Sequence, residues 1–181
     1  MKALIVVDIQ NDYFEGGTMV LDGALEASEK AKQIIEKFRN DRLPVIHIQH
    51  IALSPDATFF LPYTKGAEFH PNVKPEGGEI VITKYYPNSF LKTDLQKYLQ
   101  KLEVKELVIC GMMTHMCIDA TTRAAKDLGY ECTLIGDACA TRELEISGIK
   151  VVSQEVHAAF LSALDYYYAN VTTANDYLTA N

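Results

Sequence analysis

Five short runs along the chain are apolar at nearly every position: residues 3–7, 45–48, 80–83, 107–110 and 132–135. They are rich in Val and Ile and do not alternate with polar residues, which suits strands buried on both faces of a parallel sheet. Between most of them the apolar positions recur at helical spacing. Ala24, Ala27, Ala31, Ile34, Ile35 and Phe38 form one such stripe, and Leu91, Leu95, Tyr98, Leu99 and Leu102 form a second. A third runs through Ala120, Thr121, Ala124, Ala125 and Leu128 and stops at Gly129, a good residue just past a helix end. Ser153 reads as the N-cap of a last helix containing Val156, Phe160, Ala163, Leu164 and Tyr167, and 171–173 as a sixth strand.

Strands alternating with helices, joined by right-handed crossovers, give an α/β fold: a three-layer α/β/α sandwich with a doubly wound, mostly parallel sheet of about six strands. Sites in such folds gather on the carboxyl edge of the sheet. Polar residues just past strand ends are therefore the candidates. One irregular stretch, 51–78, holds Pro55, Pro62, Gly66, Pro71, Pro75, Gly77 and Gly78, and is expected to be a lid or a subunit contact.

Composition narrows the function. A chain of 181 residues is expected to be one domain, and its 48% hydrophobic and 23% charged residues are ordinary for a globular protein. A net charge of -7 argues against nucleic acid and against an anionic membrane as partner. No stretch approaches the roughly 20 apolar residues of a membrane span. The run 3–7 ends at Asp8, too short for a signal peptide, so the expected compartment is the cytoplasm. Cys110, Cys117, Cys132 and Cys139 form no C-x-x-C motif, and three of them are expected to pack as small hydrophobes.

Three strand ends present reactive groups: Asp8 after the first, Lys84 after the third, and Cys117 in the turn following the fourth. Singly, Asp8 reads as a cap for the turn at 10–13, Lys84 as a snorkelling lysine and Cys117 as core. Together on one edge they make a nucleophile, its base and a charge partner. A free thiol ionises near roughly pH 8.5, so a cysteine nucleophile needs activation. With Thr114 as N-cap, Cys117 falls in the first helical turn, where the dipole and the Lys84 ammonium are expected to lower its pKa. Asp8 can then shuttle the thiol proton to a leaving amine. The turn's N–H groups can serve an oxyanion, about 3–4 kcal/mol per donor.

The segments VVDIQNDYF (6–14), VITKYYPNSF (81–90), VICGMMTHMCIDATTRAA (108–125) and HAAFLSALDYYYANVTTANDYL (157–178) resemble the isochorismatase-like cysteine hydrolase superfamily, which includes nicotinamidases and N-carbamoylsarcosine amidase. The likeness runs in order over nearly the whole chain and implies one isochorismatase-like hydrolase domain over 1–181. It implies Asp8, Lys84 and Cys117 as the triad. It also implies a cis peptide between Met112 and Met113, with the N–H groups of Met113 and Cys117 forming the oxyanion hole. Nicotinamidases hold a metal through an Asp-x-His pair after the second strand; here that place reads Gln49-His50-Ile51-Ala52. His47 and His50, three apart on a strand, would point to opposite faces, so no metal and no cofactor is expected.

Phe14, Phe59, Phe60 and Tyr86 are expected to wall a small-molecule pocket, although Phe59 and Phe60 also fit a subunit contact. His115 either lines that pocket or faces solvent. His70 and His157 read as structural hydrogen-bonders and Asp137 as a cap or loop anchor. The dense Tyr166–Tyr168 hints at a homo-oligomer, a dimer or tetramer. The expected activity is metal-independent cleavage of a C–N bond of a small amide through a thioester. Its rivals are isochorismatase-type vinyl-ether hydrolysis, which generally proceeds without the cysteine, and a non-catalytic binding or scaffold role.

Overall fold

Residues 1–180 are described by a computed structural model. The strands are β1 Lys2–Val7, β2 Val45–His50, β3 Ile80–Lys84, β4 Glu106–Met112, β5 Glu131–Ala140, β6 Leu144–Ile146, β7 Ile149–Val151 and β8 Asn170–Thr172. Six of them form one sheet in the order β3-β2-β1-β4-β5-β8, with every neighbouring pair parallel. The sheet is thus the expected doubly wound one. Its winding reverses between β1 and β4, the place where open α/β sheets leave a crevice at their carboxyl edge.

The helices are α1 Ala24–Asn40, α2 Leu95–Lys101, α3 Asp119–Asp127, α4 Ser153–Asp165 and α5 Ala174–Ala180. Because successive strand residues face opposite sides, β1 serves two cores at once. Leu4 and Val6 pack with Ile34, Ile35 and Phe38 of α1 and Tyr177 of α5. Ala3, Ile5 and Val7 pack with Leu95 and Leu99 of α2, Ala125 of α3 and Leu164 of α4. All five apolar residues of β1 from Ala3 to Val7 are fully buried, which is why that run shows no alternation. Burying a Leu, Ile or Phe side chain contributes about 1.5–3 kcal/mol, so this central strand anchors both layers.

One glycine sets how closely the two central strands approach. Gly111 of β4 pairs in register with Val7, at φ 131°, and a Cβ there would collide with the Val7 backbone. Its small size lets the carboxyl ends of β1 and β4, which carry Asp8 and the Cys117 turn, lie side by side.

Two local expectations differ from the structure, and one hairpin adds to it. Ser153 lies inside α4, with Val152 at the cap position and no side-chain cap bond. Thr173 ends no strand: its hydroxyl accepts from the Asp176 N–H and donates to the Asp176 carboxylate, so it opens α5. Residues 144–151 form an antiparallel hairpin apart from the main sheet. Its turn is Ser147-Gly148, both at positive φ, as two-residue hairpins require. No helix of the described residues is long and apolar enough to cross a membrane.

Candidate active site

Asp8, Lys84 and Cys117 meet where β1, β3 and β4 end. Asp8 stands one residue past β1 in the left-handed region, at φ 51°, which an aspartate tolerates better than most residues. Its Oδ2 is 2.7 Å from Lys84 Nζ, and both side chains are wholly buried. Lys84 is further held by the carbonyls of Tyr86 and Pro87, at 3.0 and 3.2 Å. After β4 the Met112–Met113 peptide is cis. The chain then makes a π-helical turn over Thr114–Ile118, which runs into α3 and carries a buried Cys117.

Thr114 does not cap that turn. Met113 is the cap residue, and its carbonyl accepts from the N–H groups of Met116 and Ile118. The Thr114 hydroxyl donates to the Ala140 carbonyl, 3.2 Å away, and pairs with His157 Nδ1 at 2.9 Å. The side chain thus tethers the turn to β5 and α4.

His50, at the end of β2, is the residue that sequence reasoning passed over. It pairs in register with Lys84, and its Nδ1 lies 3.2 Å from Lys84 Nζ, 3.8 Å from Asp8 Oδ2 and 3.9 Å from Cys117 Sγ. The buried Gln10 side chain clamps its backbone, accepting from the His50 N–H at 2.8 Å and donating to the His50 carbonyl at 2.9 Å. The same amide donates to the Ala67 carbonyl at 2.8 Å, which ties the 51–78 stretch to the site. Asp12 pins that stretch a second time by accepting from the Phe60 N–H at 2.7 Å, with Gly66 packed too close to its carboxylate for any side chain.

Electrostatics in this pocket run against one expectation. Burial raises the Cys117 thiol above its ordinary pKa and the Asp8 charge raises it further; the Lys84 ammonium pulls the other way but does not prevail. That direction favours a neutral Cys117 thiol at rest, not the low-pKa thiolate expected from a helix N-terminus. Burial also works against the charge on Asp8, yet its neighbours, the Lys84 ammonium foremost, outweigh it and hold the carboxyl below its usual range. Burial works against the charge on Lys84, but the Asp8 carboxylate overcomes it and holds the lysine above its ordinary value. Among the described residues no backbone N–H bonds either Asp8 oxygen, so the carboxylate keeps acceptor capacity beside the thiol. Cys110, Cys132 and Cys139 are buried in the packed cores without a buried lysine beside them.

The aromatic candidates divide. Phe60 is buried with its ring 5.8 Å from that of His50 and 4.7 Å from Tyr13, and Phe59 stacks behind it at 4.9 Å. Phe14 belongs to the same apolar cluster but lies flat on the His70 ring at 3.8 Å. Tyr86 meets the site through its carbonyl only; its half-exposed ring lies under Lys92. His115 turns away, bonding the Thr141 hydroxyl and meeting Phe160 edge-on. Tyr13, missed in the sequence, is buried within the electrostatic reach of Cys117 and Asp8. Asp137 accepts from the Ala174 N–H at 2.7 Å, a loop anchor as expected.

An Asp8 oxygen, a His50 nitrogen and the Cys117 sulfur lie within 4.8 Å of one another, a donor set that can in principle take a cation. Lys84 Nζ, however, lies among these same atoms, 2.7 Å from one and 3.2 Å from another. Its positive charge contends with any metal there, so the residues fit a resident ion poorly. His47 does not join them; its Nε2 bonds Glu79 at 2.9 Å.

A family model described as "Isochorismatase domain" matches residues 2–176. The uncharacterized isochorismatase family protein YddQ of Bacillus subtilis (strain 168) is 49% identical over 97% of this chain and 98% of its own. A streptothricin hydrolase of Streptomyces noursei is 33% identical over 90% of this chain and 57% of its own. An isochorismatase-type crystal structure from Oleispira antarctica superposes with a TM-score of 0.94 at 49% identity, covering 98% of this chain and 96% of the other.

Proposed function

The chain belongs to the isochorismatase family of hydrolases, and from that premise we propose that it is a cysteine hydrolase cleaving a C–N bond of a small amide through a thioester on Cys117. The single observation that carries this reading is the buried Asp8–Lys84 ion pair, 2.7 Å long, beside a buried thiol at the switch point of the sheet. A buried pair of this kind costs several kcal/mol of desolvation per ion, a poor investment for stability alone. Catalysis is the use that matches it.

The steps follow from the protonation states. The thiol gives its proton to Asp8 as the sulfur attacks the carbonyl carbon, so the site's net charge does not change. Lys84 stabilises the anion wherever it sits, on carboxylate or sulfur. The N–H groups of Met113 and Cys117 receive the oxyanion. When the C–N bond breaks, Asp8 returns the proton to the departing amine. Asp8 then takes a proton from water while the oxygen attacks the thioester; the C–S bond breaks and the proton returns to the thiol. Phe60 and Phe59, with Phe14 behind them, wall the apolar side of the pocket, while Tyr86 contributes its backbone. His115 has no role in this scheme.

A library of small primary amides and carbamoyl compounds, read by product release and by intact mass, tests the reading. Turnover should come with an acyl adduct on Cys117, and Cys117→Ala should lower kcat/KM by at least about 1,000-fold. A fully active alanine variant sinks the proposal and favours vinyl-ether chemistry; an ordinary, unreactive thiol with no adduct favours a binding role. The scheme uses no metal, so dialysis against EDTA should leave the rate unchanged. A homo-oligomer is part of the same proposal. Tyr166 and Tyr167, 91% and 65% exposed, offer an exposed aromatic edge, and light scattering that reports a monomer overturns this part.

A further inference from the structure

Lys84 Nζ faces three oxygen acceptors, Asp8 Oδ2 at 2.7 Å and the carbonyls of Tyr86 and Pro87 at 3.0 and 3.2 Å, and has His50 Nδ1 at 3.2 Å. A lysine ammonium has only donors to offer. A proton on Nδ1 would therefore set one N–H against another across 3.2 Å. The lone pair must lie there, and a neutral imidazole then carries its one proton on Nε2. Asp8 Oδ2, the acceptor an Nδ1–H could serve instead, is 3.8 Å away, so the contact with Lys84 favours this tautomer.

Nε2 has no hydrogen-bond partner among the described residues, yet it is absent from their buried unpartnered atoms. It is thus reachable from outside. The rest of the cluster lies deeper: the Asp8 and Lys84 side chains are 0% exposed and Cys117 is 3%, against 17% for the His50 side chain. Gln10 fixes the backbone of His50 at both its N–H and its carbonyl, and Phe60 stands 5.8 Å from the ring. The donor is held in place before any ligand arrives.

We infer that His50 is a substrate-recognition residue, presenting Nε2–H to an oxygen or unprotonated nitrogen that the amide carries beside its scissile carbonyl. This rests on the amide-hydrolase reading and deepens it. The substrate class becomes amides with a second hydrogen-bond acceptor, and amides bearing only hydrocarbon on that side are disfavoured. A site built to donate loses binding to an analogue without the acceptor, here by about tenfold or more.

The experiment has two arms. Long-range ¹⁵N–¹H spectra of the full protein at neutral pH, with the His50 signal assigned by its loss in His50→Gln, should show Nε2 protonated and Nδ1 bare. A proton on Nδ1 overturns the proposal whatever the enzyme turns over. In the second arm benzamide is compared with picolinamide, nicotinamide and isonicotinamide, which walk one ring nitrogen around a constant shape. Each is run as substrate and as protector of Cys117 against iodoacetamide. At least one pyridine amide should exceed benzamide about tenfold, mainly through KM or protection constant. His50→Phe should erase that preference and His50→Gln, which retains a donor and an acceptor, should restore part of it. Turnover with no preference, or a preference unchanged in His50→Phe, overturns the role of His50 and leaves the hydrolase reading intact. Selective protection without acylation does the reverse.

Discussion

β2 carries two histidines three residues apart, and each joins a cluster of charges of a different character. His47 faces the α1 side, where the Glu79 carboxylate receives two bonds from Arg39 at 2.7 and 2.8 Å, one from the Glu76 N–H at 2.9 Å and the His47 contact at 2.9 Å. Four contacts thus converge on one carboxylate. His50 faces the opposite layer, where Asp8 has the Lys84 ammonium and no backbone N–H. A saturated carboxylate has nothing left to exchange and holds the fold together. An under-served one, deeper and beside a thiol, costs stability and keeps the capacity to move a proton.

The sharpest way to break this contrast is to remove Lys84. Lys84→Met leaves Asp8 buried and uncompensated, and urea unfolding should show a loss of about 3–5 kcal/mol. Adding Asp8→Asn should recover most of it in a protein that remains inactive; a double variant no more stable than the single one contradicts the account. Asp8→Asn alone tests the electrostatics from the other side. Asp8 raises the thiol pKa, so its removal leaves Lys84 unopposed, and iodoacetamide labelling of Cys117 at pH 7 should quicken about tenfold or more while turnover is lost. An unchanged pH profile of alkylation contradicts it.

The saturated cluster predicts a smaller and purely structural effect. Glu79 is held down to about 2 by its donors, with burial opposing them. A depressed carboxyl stabilises fully above its unfolded pKa, roughly 4.3, and that contribution fades as pH falls toward the folded value. With the side chain still partly open to solvent, Glu79→Gln should cost about 1–2 kcal/mol at pH 7 and much less near pH 2, at near-native activity. Equal losses at both pH values argue against the linkage. At the bottom of the scale, Lys97 and Asp94 form a 2.9 Å pair with both side chains more than four-fifths exposed. Lys97→Ala should leave the thermal midpoint within experimental error, as exposed pairs usually do.

Much of this was legible because the relevant signals are local. A strand buried on both faces has to be apolar throughout, and Asp8 and Lys84 interrupt such runs where they end. Gly129, at φ 91° past α3, was equally readable. The hairpin and α5 were also within reach: Ser147-Gly148 is a two-residue turn signal, and Thr173-x-x-Asp176 is a capping pattern. His50 was harder. The alternation that separates it from His47 also puts it on the Cys117 layer, but its importance lies in the pairing with Lys84, set by which strands become neighbours. Thr114 failed as a cap for the same reason, since the partners that claim its hydroxyl, Ala140 and His157, come from β5 and α4. The direction of the thiol shift depends on burial and on the Asp8 charge, quantities that sequence spacing does not contain.

The Gln10 amide has a consequence of its own. It meets His50 at both N–H and carbonyl, as a peptide group in a neighbouring strand would, so a side chain stands in for one more rung of sheet beyond the last backbone pair. Because its –NH₂ also serves the Ala67 carbonyl, a departure of the 51–78 stretch removes one acceptor but leaves that rung in place. The order of this strand end is thereby separated from any movement of 51–78: the His50 backbone N–H should keep the slow exchange of a core amide whether or not that stretch shifts.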